Sequence, residues 1–136
     1  MREKLKSIRI DEFMSRFPET VTLQASYKEI VDLLENKVIR HLPVLDGKKV
    51  VGIISQRNLK LPSKLADVIN IKAQDIMTAD PFTAQPETAV DIVTYTMAER
   101  GIGSAIIVSS YGELLGIFTT IDALNALTDI VRGEVP

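Results

Sequence analysis

The residues best suited to bind a ligand are a basic pair and an acidic motif. Arg40-His41 precedes an apolar run, and a guanidinium beside an imidazole offers hydrogen-bond donors that suit a phosphate. Thr119-x-x-Asp122 ends in a carboxylate, whose two acceptor oxygens can hold a vicinal diol. The same motif also fits a helix start, where Thr119 caps the helix and Asp122 favours its positively charged first turn. The residues alone leave both interpretations open.

Composition excludes several kinds of catalytic site. The 136-residue chain has no cysteine, so neither thiol catalysis nor a thiolate metal site is available. His41 is the single histidine, which leaves no imidazole for a conventional catalytic triad and cannot build a metal site alone. The sequence also lacks a G-x-S-x-G elbow and a G-x-x-x-x-G-K-[ST] phosphate loop. We therefore expect a protein that is not an enzyme and holds no metal.

The charge and hydropathy of the chain are those of an ordinary soluble protein. Sixteen basic and eighteen acidic residues give a net charge of −2, so no basic field is available to attract nucleic acid. The first residues lack the apolar segment of a signal peptide, and no apolar run approaches the roughly 20 residues of a membrane-spanning helix. We expect a cytoplasmic protein with neither nucleic acid nor membrane as a partner.

A repeat organises the chain. The opening segment Phe13-Met14-Ser15 returns as Ile76-Met77-Thr78. Each copy then shows a short β-prone piece, an amphipathic helix, two strands joined by a glycine turn, and the start of a closing helix. Because one copy has too few apolar positions for a core of its own, we predict an α/β fold of two β-α-β-β-α repeats packed sheet against sheet. We place the first repeat at residues 1–61, a linker at 62–72 and the second repeat at 73–136.

Local signals fix the ends of the first helix in each copy. Ser26 and Glu29 form a capping box, which predicts the start of the helix in the first copy. Thr88 with Asp91 predicts the analogous start in the second copy. Gly101 follows that second helix, at the place where a helix end favours a left-handed residue.

Glycines mark the predicted strand pairs. Asp46-Gly47 and Tyr111-Gly112 each separate two apolar runs and predict hairpin turns. The second strand of each pair is almost wholly apolar, so we expect it to be covered on both faces. Gly52 and Gly116 lie inside these strands, where a glycine usually marks a bulge or the close approach of another backbone.

This pattern resembles a pair of CBS domains, the repeat named after cystathionine β-synthase, over roughly residues 8–131. The resemblance rests on the two opening segments and on the run Ile39-Arg40-His41-Leu42-Pro43-Val44. It also rests on a Gly-apolar-apolar-Ser/Thr-x-x-Asp motif, which reads Gly52-Ile53-Ile54-Ser55-Gln56-Arg57-Asn58 and Gly116-Ile117-Phe118-Thr119-Thr120-Ile121-Asp122. Two ordered sets at matched spacing are more specific than any single piece.

The resemblance implies a regulatory module rather than an enzyme. CBS pairs have pseudo-two-fold symmetry and two clefts between the repeats, and they usually form homodimers. Many of the clefts hold AMP, ADP or ATP, and some hold S-adenosylmethionine, which we rank below the nucleotides for this chain. The implied function is an adenine-nucleotide sensor with no required cofactor and with an effector protein still to be identified.

The resemblance also assigns residues to two clefts. The favoured nucleotide-binding cleft contains Ser15, Thr20, Ile39, Arg40, His41, Thr119 and Asp122. The weaker cleft contains Ser55, Asn58, Thr78, Thr83, Ile102, Gly103 and Ser104. In the family, the aspartate of the motif accepts hydrogen bonds from the two ribose hydroxyls, and the Thr makes polar contacts at the sugar or phosphate. The favoured cleft therefore combines cations for a phosphate with a carboxylate for a ribose.

The first copy departs from the family pattern, because Asn58 stands where aspartate is expected. An amide brings no charge and adds a competing donor, so this cleft could be empty, weak or selective for another group. Two other interpretations stay open. Arg40 can merely solvate a strand start and His41 can simply pack, and the chain can be a dimerisation or interaction module without a ligand, or a regulatory fragment of a larger protein.

Overall fold

The computed structural model describes residues 8–37, 39–59 and 70–134. These residues form two compact units. The terminal unit comprises residues 8–17 and 82–134, and the central unit comprises the described residues of 18–81. Our predictions for the first seven residues and for most of the linker at 62–72 lie outside the described residues.

The elements of the described residues follow the predicted α/β order. In chain order they are β1 (Ser15–Arg16), β2 (Val21–Thr22), α1 (Tyr27–Asn36), β3 (His41–Asp46), β4 (Lys49–Ser55), α2 (Ala73–Ile76), β5 (Thr78–Ala79), β6 (Thr83–Ala84), α3 (Val90–Arg100), β7 (Ser104–Val108), β8 (Leu114–Thr119) and α4 (Thr120–Val131). Short 3-10 turns cover Ile10–Glu12 and Gln56–Asn58. The β-α-β-β-α repeat is confirmed; the predicted first closing helix begins as the 3-10 turn Gln56–Asn58, and residues 60 and 61 lie outside the described residues.

The central unit is a four-stranded sheet in the order β2-β3-β4-β5. Strand β2 runs parallel to β3, and the other neighbours are antiparallel. Helix α1 begins as predicted, because the Ser26 side chain accepts a hydrogen bond from the backbone N–H of Glu29 at 3.1 Å. The helix buries Ile30 and Leu34 in one cluster with Leu42, which is a residue of β3.

The terminal unit repeats this plan with the order β1-β8-β7-β6. Val93 of α3 and Phe118 of β8 are fully buried in its core. Helix α3 ends at Gly101, whose φ of 62° is left-handed as predicted. The predicted start was wrong by one residue: Ala89 is the N-cap, and the Thr88 hydroxyl accepts from the Gln85 N–H instead.

The backbone explains why α3 starts without a side-chain cap. The N–H of Val90, the first helical residue, donates to the carbonyl of Ile8 at 2.9 Å. One of the N–H groups that a helix start leaves unpaired is therefore satisfied by the opening segment of the chain.

The short opening strands are exchanged between the repeats. Strand β1 belongs to the first repeat but pairs with β8 of the second, and β5 belongs to the second repeat but pairs with β4 of the first. Each compact unit therefore combines the opening segment of one repeat with the helix and hairpin of the other.

The two strand glycines permit this pairing. A Cβ on Gly116 would lie 2.7 Å from Met14 Sδ and 2.8 Å from the Ser15 carbonyl oxygen. A Cβ on Gly52 would overlap the Met77 side chain. The predicted close approach of another backbone is confirmed at Gly116, whereas the nearest atoms at Gly52 belong to the Met77 side chain.

Candidate functional site

The Asp122 carboxylate lies at the start of α4 and takes part in a helix cap. Its Oδ2 accepts hydrogen bonds from the backbone N–H of Thr119 at 2.9 Å and from the Thr119 hydroxyl at 3.2 Å. In return, Thr119 Oγ1 accepts from the Asp122 N–H at 3.4 Å. The capping interpretation of this motif is therefore confirmed.

The cap leaves part of the same carboxylate available. Asp122 Oδ1 accepts a hydrogen bond from the Ser15 hydroxyl at 3.1 Å, and no other donor among the described residues reaches this oxygen. Ser15 is near because β1 pairs with β8, which places Ser15 opposite Ile117. A carboxylate oxygen can accept two hydrogen bonds, so Oδ1 retains capacity for a hydroxyl of a ligand.

The Ser55-x-x-Asn58 motif makes the same cap through its side-chain oxygen. Its second polar atom is an amide nitrogen, which donates hydrogen bonds instead of accepting them. Asn58 Oδ1 accepts from the Ser55 N–H at 2.8 Å and from the Ser55 hydroxyl at 3.2 Å. Asn58 Nδ2 donates to the Ile76 carbonyl at 2.8 Å and to Thr78 Oγ1 at 3.2 Å. Three residues predicted for the weaker cleft, Ser55, Asn58 and Thr78, are thus together in the central unit.

Two arginines and the single histidine lie close together in the central unit. Arg40 is exposed just before β3, and the half-buried His41 is the first residue of β3 and pairs with Ser55 of β4. Arg57 follows Ser55 in the 3-10 turn and is exposed. Burial, and then the positive charges of Arg40 and Arg57, lower the pKa of His41 below its ordinary value.

Arg57 is a candidate that the sequence interpretation missed. It occupies a variable position of the Ser55-x-x-Asn58 motif, so the motif gave no reason to select it. The signal that could have found it is the hairpin pairing of β3 with β4, which carries the end of β4 back to His41. An anion bound near these groups would favour the charged imidazole and would offset the lowered pKa of His41.

The remaining predicted residues have the following places. Thr20 is half-buried just before β2, and Ile39 packs against the core of the central unit. In the terminal unit, Ile102 packs against the core and Ser104 is buried opposite Thr119.

Gly103 and Thr83 complete the residues predicted for the weaker cleft. The Gly103 carbonyl accepts from the Thr120 N–H at 3.1 Å, and Thr83 is exposed in β6. Each predicted cleft draws residues from both compact units, so both clefts stay predictions.

Two negative results apply to the described ranges only. Within residues 8–37, 39–59 and 70–134, no three acidic or histidine side chains are grouped as metal ligands. The same part of the chain contains no helix with the length and apolar character that crossing a membrane requires.

Known proteins resemble this chain at the level of family and fold. A family model described as CBS domain matches residues 10–61 and 73–129. The AcuB protein of Vibrio cholerae has a solved structure with a TM-score of 0.83 and 25% identity, covering 92% of this chain and 93% of that one. The CBS domain pair of protein MJ0100, solved with 5′-methylthioadenosine and S-adenosyl-L-methionine, gives a TM-score of 0.77 and 27% identity over 89% of this chain and 96% of that one.

The curated relatives are longer than the chain. An inosine-5′-monophosphate dehydrogenase of Korarchaeum cryptofilum is 34% identical over 114 residues, which cover 84% of this chain and 23% of that enzyme. Protein MJ1232 of Methanocaldococcus jannaschii is 26% identical, and the match covers 86% of this chain and 37% of that protein. The chain therefore spans well under half of the length of these relatives.

Proposed function

Because the chain belongs to the CBS domain family, we propose that it is a regulatory module that binds an adenine nucleotide, AMP, ADP or ATP, and catalyses no reaction itself. The observation that carries the proposal is the Asp122 carboxylate, which is fixed by Thr119 and Ser15 and keeps acceptor capacity on Oδ1. A fixed acceptor of this kind suits a ribose diol, since both hydroxyls are donors.

The ligand class is supported by the MJ0100 domain pair. That protein was solved with two molecules that both contain adenosine, and it is 27% identical to this chain. The common part of the two ligands is the adenine ring and its ribose, and the ribose is the group that the Asp122 carboxylate suits. S-adenosylmethionine therefore belongs in any test, although the basic residues favour a phosphate-bearing ligand.

The basic residues Arg40, His41 and Arg57 support the second half of the proposal, which is that the ligand carries a phosphate. Guanidinium groups pair with phosphate oxygens through charge-assisted hydrogen bonds, and a partly buried imidazole can donate another when it is protonated. We propose that Arg40 and His41 contact the phosphate while Asp122 and Thr119 contact the ribose, with Ser15, Thr20 and Ile39 completing the site. Arg57 adds a second guanidinium charge near His41.

We also propose that the module is a homodimer, as the resemblance implies. The terminal unit exposes large apolar side chains on its two helices, with exposed fractions of 57% for Ile92, 55% for Leu124 and 58% for Leu127. A groove of about 450 Å³ between α3 and α4 is lined by these helices, and Ala123 and Ile130 are among its residues. Leu124 and Leu127 line this groove and Ile92 does not, and exposed apolar surface of this kind commonly marks an interaction site. A ligand-free dimerisation module is the second candidate function, and the same surface supports it.

The regulated activity is proposed to lie in another domain or protein. The chain matches 23% of the length of the archaeal dehydrogenase, so a matching region can belong to a longer protein. A ligand that binds such a module shifts its conformational equilibrium only by its differential affinity for the two states. The nucleotide, the role of Mg²⁺ and the effector are therefore matters for experiment.

The decisive experiment compares AMP with 2′-deoxy-AMP after a thermal-shift panel of AMP, ADP, ATP, S-adenosylmethionine, NADH and GTP. A ligand at about 100 times its dissociation constant adds about 2.7 kcal/mol to the free energy of unfolding, which raises the melting temperature visibly. We expect the wild type to prefer AMP to the deoxy analogue.

In calorimetry, Asp122→Asn should weaken AMP binding about 10- to 100-fold and should remove the preference for AMP over 2′-deoxy-AMP, because a ribose hydroxyl loses its acceptor. Asp129→Asn is the matched control, since it removes a carboxylate from the same helix. If the panel gives no shift with any nucleotide, the ligand-free module is the better function. If Asp122→Asn binds AMP normally, the role given to Asp122 is wrong.

A further inference from the structure

Asn58 uses every hydrogen-bonding position of its side-chain amide. Its oxygen accepts from the N–H and the hydroxyl of Ser55, and its nitrogen donates to the Ile76 carbonyl and to Thr78 Oγ1. An amide has two donor hydrogens and two acceptor lone pairs, so none remains. The backbone partners fix its orientation, since an N–H must face the oxygen and a carbonyl must face the nitrogen.

The equivalent side chain of the second repeat, Asp122, is not saturated. Asp122 Oδ2 makes the same two contacts with Thr119 that Asn58 Oδ1 makes with Ser55. The second atom differs: Asp122 Oδ1 accepts from the Ser15 hydroxyl, whereas Asn58 Nδ2 donates to the Thr78 hydroxyl. The direction of this hydrogen bond is reversed, and a ligand hydroxyl finds an acceptor only at Asp122.

We propose that Asn58 is a specificity-determining residue that closes the Ser55-x-x-Asn58 motif to ribose, so that each chain binds one ribose-bearing ligand, at the Asp122 motif. The inference rests on the proposed function and deepens it by fixing the number of nucleotides per chain. The amide cannot accept a hydrogen bond from a ribose hydroxyl unless Ser55 releases it. It cannot turn its oxygen outward without breaking its bonds to Ile76 and Thr78.

The hydrogen bonds of the Asn58 amide also join two segments of the central unit. Asn58 ends the 3-10 turn that follows β4, and Ile76 and Thr78 flank the junction between α2 and β5. The two Nδ2 hydrogen bonds connect residues 18 and 20 positions apart in sequence. Opening the motif for a ligand would therefore give up tertiary contacts as well as the cap.

The test counts AMP molecules per chain by equilibrium dialysis in four proteins. The wild type should bind one AMP. In Asp122→Asn this single site should weaken about 10- to 100-fold, and no other site of wild-type affinity should be present. Asn58→Asp should bind two, because the new carboxylate cannot donate to the Ile76 carbonyl and should turn one oxygen away from it, where that oxygen can accept from the Thr78 hydroxyl and from a ribose. The double variant Asp122→Asn/Asn58→Asp should regain one AMP, now at the first motif. Circular dichroism checks that each protein is folded.

The outcomes separate this inference from the proposed function. Two AMP molecules on the wild type, a site of wild-type affinity that remains in Asp122→Asn, or a folded Asn58→Asp that still binds one AMP would each overturn the inference. If the wild type binds none of AMP, ADP and ATP, the proposed function fails, and Asn58→Asp then decides the inference: a gained site supports it and no gain overturns it. If Asn58→Asp does not fold, the counts for the wild type and Asp122→Asn decide.

Discussion

At the residue scale, the Asp122 carboxylate is both a helix cap and a candidate ligand acceptor. The two interpretations of Thr119-x-x-Asp122 were competing explanations in the sequence, but the geometry makes them compatible. Oδ2 accepts from Thr119 and lies 3.3 Å from the Ser15 hydroxyl, whereas Oδ1 has Ser15, at 3.1 Å, as its one donor among the described residues. The cap holds the carboxylate in place before a ligand arrives, which reduces the conformational entropy that binding must overcome.

The proposed contact of Arg40 with a phosphate gives the prediction at this scale. Arg40→Ala should weaken AMP, ADP and ATP about 10-fold or more, because a charge-assisted hydrogen bond is lost, and should leave adenosine nearly unchanged. Calorimetry with all four ligands measures this difference. Arg132→Ala, which removes a cation at the end of α4, is the control. Equal losses for the four ligands would place Arg40 away from the phosphate.

At the element scale, the exchange of the short opening strands assembles the described part of the site. Ser15 reaches Asp122 because β1 is paired with β8, and Thr78 reaches Asn58 where β5 is paired with β4. These strands are only two residues long, so few backbone hydrogen bonds hold them. Their position depends on Gly116 and Gly52, which leave room for Met14 and Met77.

The two glycines should differ in their tolerance of alanine. Gly116→Ala should lower the free energy of unfolding by about 3 kcal/mol and Gly52→Ala by about 1 kcal/mol, the upper and lower values for overpacking. The reason is that a Cβ on Gly116 meets the Ser15 carbonyl, whereas the nearest atoms at Gly52 all belong to the flexible Met77 side chain.

Urea unfolding of the two variants measures this difference. AMP binding is a second readout, since a displaced β1 would move Ser15 away from Asp122. A larger loss of stability for Gly52→Ala than for Gly116→Ala would contradict the explanation.

At the scale of the whole molecule, two features bear on function: the greater length of the relatives and the exposed apolar side chains of the terminal unit. The curated relatives that it matches are longer, and the terminal unit exposes apolar side chains on α3 and α4. Exposed Leu124 and Leu127 would be costly on a surface that always faces water, and a second copy is the occupant that we propose. Dimerisation would also link two nucleotide sites in one particle.

A charge placed on this surface should dissociate the proposed dimer. Leu124→Glu should raise the dimer dissociation constant at least about 30-fold, the effect of losing an interface hot spot. Sedimentation velocity over a range of protein concentrations measures it. Tyr111→Glu is the control, because Tyr111 is 79% exposed in the loop between β7 and β8. A wild-type monomer, or a Leu124→Glu protein that remains dimeric, would refute the assignment.

Much of the fold was predictable because its signals are local. The Ser26 cap, the glycine turns and the left-handed Gly101 each depend on a few neighbouring residues, and all have the expected form. The Thr88 start was wrong because a carbonyl from Ile8, distant in sequence, satisfies the helix instead. Arg57 was missed for a similar reason, since its proximity to His41 depends on strand pairing.

The sequence by itself determined the family, the repeat, the order of the elements and the residue types available for a ligand. Each of these depends on residue identity and spacing along the chain. Only the tertiary structure decided that Asp122 keeps an acceptor while Asn58 is saturated, because the partners Ser15, Ile76 and Thr78 come from the opening segments exchanged between the repeats. Hydrogen-bond capacity is set by the groups that fill it, and those groups are distant in sequence.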